Sequence, residues 1–296
     1  MNTGISTLVD LSLTIEEISK LIAEAGFSHI SLSHDVRHVG YHIPHRRESL
    51  RKLWDDLGIQ LNYIHPPLEC YHDLTSLDDQ VRRSSIEMMK MALDATADMG
   101  GTAITIHMAN DWELPVEEFS GRIPAGVESI KELREHAATR GVTVCIENLP
   151  LVWNFGALSL EIIRATADWD DVKVCLDSCH ATMSDHDTAA LVRELAPRVT
   201  ATHFSDTMGD DDSHLIPGEG NVDYSMVTAE LGKAGFCGVV DLECSLWMLR
   251  KRHDQKRTHQ GDPAPCSTEH YLAKAFSAAK RIGEQIEQVK TAGAAG

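Results

Sequence analysis

The chain alternates between short apolar or β-branched runs and longer stretches whose apolar residues recur every three or four positions. The eight short runs, predicted as strands, cover about residues 5–12, 29–34, 60–65, 103–108, 142–148, 172–177, 199–205 and 238–244. The longer stretches, predicted as helices, include 14–27, 78–101, 125–141 and 223–236. Several of them end at glycine, as helices commonly do. Strands that alternate with helices pair in parallel through right-handed crossovers. The pattern therefore predicts an α/β fold, a single (β/α)8 barrel.

An open, doubly wound sheet is the main alternative architecture, and it normally has a glycine-rich turn after its first strand. The corresponding segment here, LVDLSLT at 8–14, contains no glycine. No long linker, internal repeat or low-complexity tract interrupts the alternation. We therefore predict one domain that spans residues 1–296.

Charge and composition exclude several functional classes. The 45 acidic and 27 basic residues give a net charge of −18, which argues against a surface built for phosphate backbones. The chain has no apolar run of about 18 residues, so no membrane span is predicted. Its first residues lack the basic and apolar regions of a signal peptide. The 7 cysteines fit reduced thiols in a cytoplasmic protein.

Ligand-type residues recur at the ends of the predicted strands, where barrels of this kind place their chemistry. Strands two to eight end in His34, His65, His107, Glu147, Asp177, His203 and Glu243. The first strand offers Asp10 and Ser12. Carboxylates at the ends of buried strands are costly unless they are paired or bind a metal. Imidazole nitrogens and carboxylate oxygens held on rigid elements are what a metal site needs.

The segment HFSDTMGDDDSHLIPGEG at 203–220 adds two further candidates. His203 ends the seventh strand, and the loop behind it can bring Asp212 and His214 back over the same mouth. The turn at 217–220 then leads the chain toward the next helix. The loop is therefore predicted to be part of the site.

Four segments resemble the xylose isomerase-like TIM-barrel superfamily: CIENLP, VCLDSCHA, HFSD followed by DSHLIPGEGNVD, and DLEC. That superfamily holds sugar isomerases and epimerases together with the endonuclease IV type of apurinic-site nuclease, AP endonuclease family 2. The resemblance covers nearly the whole chain and is strongest from 142 to 245.

The epimerase pattern implies one divalent metal, Mn2+, Mg2+ or Co2+, and a small carbohydrate substrate. Its ligands would be Glu147, Asp177, His203 and Glu243. Glu147 and Glu243 would be the catalytic pair, of which one removes a proton next to a carbonyl and the other returns it. His180 would donate hydrogen bonds to substrate oxygens. This isomerase or epimerase function is the one that we expect.

The nuclease pattern is the alternative, and it implies three Zn2+ ions for phosphodiester hydrolysis. Its nine ligands would be His65, His107, Glu147, Asp177, His180, His203, Asp212, His214 and Glu243. The acidic charge and the short first βα turn disfavour nucleic acid as a partner without ruling it out. A second alternative is an inosose-type dehydratase for a keto-polyol, with the same two glutamates and with His180 or His214 as the acid. A homo-oligomer is also left open.

Two further features stand near the predicted mouth. Five of the residues from 250 to 257 are lysine or arginine, and they follow the eighth strand. They are interpreted as a phosphate clamp for a small substrate, a contact with a neighbouring subunit, or a solvated loop. Trp112, Trp153 and Trp247 each follow a ligand-bearing strand end, where they could stack on a sugar ring or anchor a loop.

Overall fold

Eight parallel strands form a nearly closed barrel in the computed structural model, which describes residues 1–68, 72–111, 113–183, 187–209, 211–258 and 261–294. The strands are β1 (Thr3–Ser6), β2 (His29–Leu32), β3 (Gln60–Ile64), β4 (Ala103–Ile106), β5 (Thr143–Glu147), β6 (Val172–Asp177), β7 (Val199–His203) and β8 (Val240–Leu242). Their order is β7-β6-β5-β4-β3-β2-β1-β8. A parallel bridge between Phe204 and Leu242 brings β7 to β8. The predicted α/β barrel fold is confirmed.

Helices surround the strands, and their ends carry recognisable capping residues. Within the described residues they are α1 (Ile15–Glu24), α2 (Val36–Val39), α3 (Pro44–Leu57), α4 (Asp79–Asp98), α5 (Phe119–Arg140), α6 (Asn154–Ala165), α7 (Ser178–Thr182), α8 (Thr188–Leu195), α9 (Tyr224–Lys233), α10 (Leu246–Asp254) and α11 (Thr268–Ala294). Thr14 and Glu17 form a reciprocal capping box at the start of α1. Gly141 ends α5 with φ 67°, a left-handed conformation that favours glycine. The four helical stretches predicted from periodicity correspond to α1, α4, α5 and α9.

The first strand lies earlier than the sequence pattern predicts. The strand was expected at 5–12, but β1 is Thr3–Ser6 and Thr7–Asp10 form a 3-10 helix. All eight of these residues are buried, and a short buried apolar run has the same appearance in a strand as in a helix. The carboxylate of Asp10 accepts hydrogen bonds from Arg250 at 2.6 Å and Thr268 at 2.8 Å. Asp10 therefore fastens α10 and the start of α11 to the barrel.

A polar group occupies the barrel interior beside β1. Asp241 lies opposite Gly4 in the β1–β8 register, and a Cβ atom on Gly4 would stand 2.6 Å from its Oδ2. This oxygen accepts hydrogen bonds from Ser31 Oγ at 2.5 Å and Asn62 Nδ2 at 2.7 Å. Burial raises the pKa of Asp241 to about 7, against the hydrogen bonds from Ser31 and Asn62 that favour its charged form. Glycine at position 4 therefore provides the space that this carboxyl group occupies.

The described residues contain no candidate membrane-spanning helix and include four buried free thiols. Within the described residues, no helix is both long enough and apolar enough to cross a membrane. Cys145, Cys175, Cys179 and Cys244 are buried free thiols, and burial raises the pKa of Cys145 to about 11. Buried thiols with raised pKa values are poor nucleophiles, so these cysteines are not candidate catalytic groups.

We expect Asp241→Asn to change how stability depends on pH. The folded chain holds this proton up to about pH 7, whereas the unfolded chain releases it near 3.8. The stability that comes from this proton is present below about pH 4 and is lost as the pH rises through about 7. The variant lacks this loss, so its unfolding free energy should gain on that of the wild type between about pH 4 and about pH 7.

Urea denaturation of metal-free protein over this pH range measures the difference. Asp168→Asn, at an exposed site, is the matched control and should follow the wild type at every pH. A constant difference between Asp241→Asn and the wild type would show that Asp241 is ionised throughout.

Candidate metal centre

Four side chains from neighbouring strands meet at the carboxyl end of the barrel. Glu147 ends β5, Asp177 ends β6, His203 ends β7, and Glu243 directly follows β8. One ligand atom from each of these residues lies within 4.8 Å of the other three, and all four residues are buried. The structure thus brings together the four residues predicted as metal ligands.

The donor atoms of this group have unsatisfied bonding capacity. His203 Nδ1 lies 3.1 Å from Glu147 Oε2 and 3.2 Å from Glu243 Oε2. Yet both ring nitrogens of His203, both carboxylate oxygens of Glu147, and Asp177 Oδ2 form no hydrogen bond with the described residues. Buried polar atoms that have charged neighbours but no well-aligned hydrogen bond are costly, and a bound cation removes that cost. Three carboxylates with one imidazole form an oxygen-rich set that fits Mn2+ or Mg2+.

The charges in the group are strongly coupled. Burial by itself disfavours the charged form of Glu147, but His203 and His107 outweigh it and hold the pKa of Glu147 well below its usual value. Burial also disfavours protonated His203, yet Cys175, Glu147 and Glu243 raise the pKa of its ring well above the usual value. Protons on the imidazoles therefore balance the carboxylates, and a metal must displace them in order to bind.

Asn148 was not predicted from the sequence, but it links two of the ligand-bearing strands. Its Oδ1 accepts the Asp177 backbone N–H at 2.8 Å, and its Nδ2 donates to the Asp177 carbonyl at 3.0 Å. Its own carbonyl accepts from His180 Nδ1 at 3.0 Å. Asn148 thereby holds Glu147, Asp177 and His180 in register. The only sequence signal was its place directly after Glu147.

His65 and His107 form a second group around Glu147. His65 Nδ1 donates to the Pro66 carbonyl at 2.8 Å, and His107 Nδ1 contacts Asn110 Oδ1 at 2.7 Å. Their Nε2 atoms then face Glu147 Oε2 at 3.5 Å and 3.3 Å. A carbonyl that holds Nδ1–H leaves Nε2 free to ligate a metal, as is usual for metal-binding histidines. His65, His107 and Glu147 are therefore a second candidate metal group.

The loop between β7 and α9 returns to the mouth, as the sequence predicted. His214, with an uncommon φ of 49°, donates from Nδ1 to the Glu243 carbonyl at 2.7 Å. Its Nε2 lies 3.0 Å from Asp212 Oδ2, which is also 3.3 Å from His180 Nε2. Burial opposes the charge on His214, but Asp212 raises the pKa of its ring to about 10. The carboxylate of Asp206 holds this loop by accepting the Gly218 and Val222 backbone N–H groups at 2.7 and 2.9 Å.

A cavity of about 670 Å³ opens over these groups. Its described lining residues are Leu8, His34, His65, Leu68, His107, Asn110, Glu147, Trp153, Phe155, His180, Asp211, Asp212, His214, Glu243 and Met248. Trp153 packs edge-on against the His180 ring at 6.3 Å and stacks on Phe155. His34 follows the end of β2, and burial, with His65 nearby, lowers its pKa to about 4. Trp247 lies in an adjoining cavity instead, and Trp112 is outside the described residues.

The basic stretch after β8 is a helix, not the loop that was one interpretation of the sequence. Most of the stretch lies in α10, Leu246–Asp254. Arg250 is bonded to Asp10, and Arg252 pairs with Asp262 at 3.1 Å. These two arginines therefore have structural partners. The run of charged residues in the sequence did not indicate which of its lysines and arginines would form ion pairs.

Residues 19–257 match the family model of the xylose isomerase-like TIM barrel. Fructoselysine 3-epimerase of Escherichia coli O157:H7 is 26% identical over 169 residues, 55% of this chain and 60% of that protein. A protein named probable endonuclease 4, from Thermoplasma acidophilum, is 26% identical over 188 residues, 57% of this chain and 62% of its own. The resemblance noted in the sequence is confirmed, and these relatives include both functional branches that it implied.

Two solved structures share the fold over nearly their whole length. D-psicose 3-epimerase from Clostridium cellulolyticum H10, crystallised with D-tagatose, has a TM-score of 0.78 and 16% identity and covers 97% of this chain and 99% of its own. The IOLI protein with a binding zinc atom has a TM-score of 0.76 and 15% identity, with the same coverage. At these identities the likeness concerns the barrel fold.

We expect Asn148→Ala to weaken metal binding while the barrel stays folded. The substitution removes both side-chain bonds to the Asp177 backbone, so only the β5–β6 ladder then fixes the relative positions of Glu147 and Asp177. Loss of such supporting bonds lowers metal affinity by about 10–100-fold. Calorimetric titration of metal-free protein with Mn2+ measures this loss of affinity.

Asn154→Ala is the matched control, because Asn154 donates to the Leu114 carbonyl at 2.9 Å, outside the ligand group. Unchanged Mn2+ affinity in Asn148→Ala would contradict the positioning role of Asn148.

Proposed function

Because the chain belongs to the xylose isomerase-like TIM barrel family, we propose that it is a divalent-metal-dependent sugar isomerase or epimerase. Its substrate is a sugar or a sugar-like compound with a keto or aldo group. The named epimerases among the similar proteins support this choice of reaction. Glu147, Asp177, His203 and Glu243 would hold the metal, which could be Mn2+, Mg2+ or Co2+.

The observation that carries the proposal is the placement of the two glutamates. Glu147 and Glu243 approach His203 Nδ1 from β5 and β8, which are separated by two strands in the barrel. Both carboxylates are buried at the cavity wall. In the proposed pose, the reacting substrate carbon lies between the two carboxylates, with one on each of two sides.

The two carboxylates would act as the proton-transfer groups. One removes the proton next to the substrate carbonyl, and the other delivers a proton to the opposite face, which inverts that carbon. When bound, the divalent cation polarises the carbonyl and stabilises the negative charge that develops on the substrate oxygen.

Other cavity residues would orient the substrate and keep water away. His180 is held at Nδ1 by the Asn148 carbonyl, so Nε2, which contacts Asp212 at 3.3 Å, would be its donor to substrate hydroxyl oxygens. Trp153 and Phe155 present an apolar wall beside it, which suits the C–H face of a sugar. An apolar wall also protects the charged intermediate from protonation by solvent.

We expect Glu147→Gln and Glu243→Gln each to lose at least about 10²-fold in turnover, because general acid–base catalysis contributes about that much or more. Deuterium incorporation from heavy water into a panel of ketohexoses, detected by NMR, measures proton removal. The same spectra show any epimer that is formed. Circular dichroism confirms that each variant is folded, and metal analysis confirms that it is loaded.

Glu128→Gln, whose side chain is 70% exposed on α5, is the matched control and should keep full activity. Near wild-type exchange in either Glu147→Gln or Glu243→Gln would rule out the two-glutamate mechanism.

The second candidate function is phosphodiester hydrolysis at a site with several Zn2+ ions. It is favoured by His65 and His107, whose Nε2 atoms face Glu147 next to the first group. Nitrogen-rich sets suit zinc, and adjacent zinc ions suit displacement at phosphorus. The match to a probable endonuclease 4 also supports this alternative.

The metal content of each chain separates these two functions. We expect about one Mn, Mg or Co per chain in protein purified without added metal, since the oxygen-rich group prefers such ions. Elemental mass spectrometry measures the ratio. Two or three Zn per chain would instead favour hydrolysis, and abasic DNA would then be the first substrate to test.

A dehydratase would use the same two glutamates, with loss of a β-hydroxyl in place of proton return. His180 or His214 would then protonate the leaving group. Product analysis of an inosose incubated with the enzyme distinguishes dehydration from epimerisation, because only dehydration changes the mass of the product.

A further inference from the structure

A second cavity adjoins the proposed catalytic cavity on the α10 side. Its volume is about 320 Å³. The described residues that line it are Asp211, Asp212, Trp247, Met248, Lys251, Arg252, Gln255 and Arg257. Asp211, Asp212 and Met248 line both cavities, so the two share a wall. The second cavity is therefore adjacent to the proposed catalytic cavity, and its other lining residues lie on the α10 side of the shared wall.

Two cations in this second cavity have no anionic partner among the described residues. Lys251 Nζ lies 4.8 Å above the Trp247 ring, which is its only charge-related contact in the described part of the chain. Arg257 forms no ion pair there either. Arg252 is different, because it pairs with Asp262 and donates to the Ser213 carbonyl at 3.0 Å. Lys251 and Arg257 are therefore the charges available to a ligand.

The backbone after α10 turns Arg257 back toward the helix. Lys256 has a left-handed φ of 54°, and the Arg257 N–H donates to the Arg252 carbonyl at 2.9 Å. This closure of the helix end places Arg257 in the same cavity as Lys251 and Gln255.

The acidic residues of the shared wall are already engaged. Asp212 contacts the rings of His180 and His214, and Asp211 accepts a hydrogen bond from the Ser213 hydroxyl. The carboxylates of this wall repel an anionic ligand group, whereas Lys251 and Arg257 on the opposite lining attract it. On a chain with a net charge of −18, two unpaired cations in one concave site are a specific attraction for an anion.

We propose that Lys251 and Arg257 bind an anionic group, a phosphate or carboxylate, at the far end of the substrate. This inference rests on the proposed function, because it assigns the substrate class of the same site. Arginine matches such oxygens with paired N–H donors, while lysine supplies a compact charge. Two cations suffice for one anionic group, whereas a DNA strand requires contacts to several phosphates. A small acidic sugar is therefore the favoured occupant.

Calorimetric binding to metal-free protein tests this inference independently of turnover. The probes are D-fructose, D-fructose 6-phosphate and 5-keto-D-gluconate, which are neutral, phosphorylated and carboxylated. We expect at least one anionic probe to bind about tenfold or more tightly than D-fructose, because charge-assisted hydrogen bonds are the stronger ones. The tighter of the two identifies the anionic group.

The double variant Lys251→Met with Arg257→Gln should lose this preference. The matched control is Lys131→Met with Arg193→Gln, which removes the same charge from exposed sites on α5 and α8 and should keep the preference. An absent preference in the wild type, or one that survives in the double variant, would overturn the inference. Cleavage of abasic DNA that depends on Lys251 and Arg257 would also overturn it, in favour of nucleic acid.

Failure of the proposed function would be recognised separately. Deuterium exchange into D-fructose without any anionic preference would leave the isomerase proposal standing and remove the anion site. A lasting anionic preference with no proton exchange into any of the three probes would support the anion site and count against the isomerase.

Discussion

The concentration of buried carboxylates around His203 is the constraint on which the site depends. Glu147, Asp177 and Glu243 lie at one end of the barrel, and no lysine or arginine is among the described residues that line the cavity there. Burial without compensation would make these charges very costly. Protons supply the compensation here. Burial raises the pKa of Asp177 to about 7, and the pKa values of His203 and His180 are raised above the usual value against burial, by Cys175 and carboxylates at His203 and by carboxylates at His180. Metal binding is therefore an exchange of protons for a cation.

The strand-end pattern predicted most of the candidate site because it depends on one simple regularity. Parallel strands of a barrel end at one face, so side chains distant in sequence, such as Glu147 and Glu243, become neighbours. The positioning role of Asn148 was not predicted, because it depends on hydrogen bonds to the Asp177 backbone on another strand. A single sequence carries no signal for such a hydrogen-bond pair. Local pattern identifies which side chains converge but not which residues hold them in place.

The two errors in the predicted elements have a common cause. Thr7–Asp10 is a buried 3-10 helix whose apolar residues imitate a strand, and α10 is a charged helix that was open to interpretation as a loop. In both cases tertiary partners determine the conformation: Asp10 bonds to Arg250 and Thr268, and Arg252 pairs with Asp262. Contacts between residues more than 200 positions apart, such as Asp10 with Arg250, lie beyond any local periodicity.

The pairing of β1 with β8 also determines when the barrel can close during synthesis of the chain. Gly4 pairs with Asp241, so the free edge of β1 has no partner until more than two hundred further residues have left the ribosome. Pairing across such a separation is slow, because the loop must close before the contact forms. A nascent chain thus carries an open sheet edge for most of its translation, and open edges promote aggregation. The final fastening of Asp10 by Arg250 and Thr268 makes the last third of the chain the part that completes the fold.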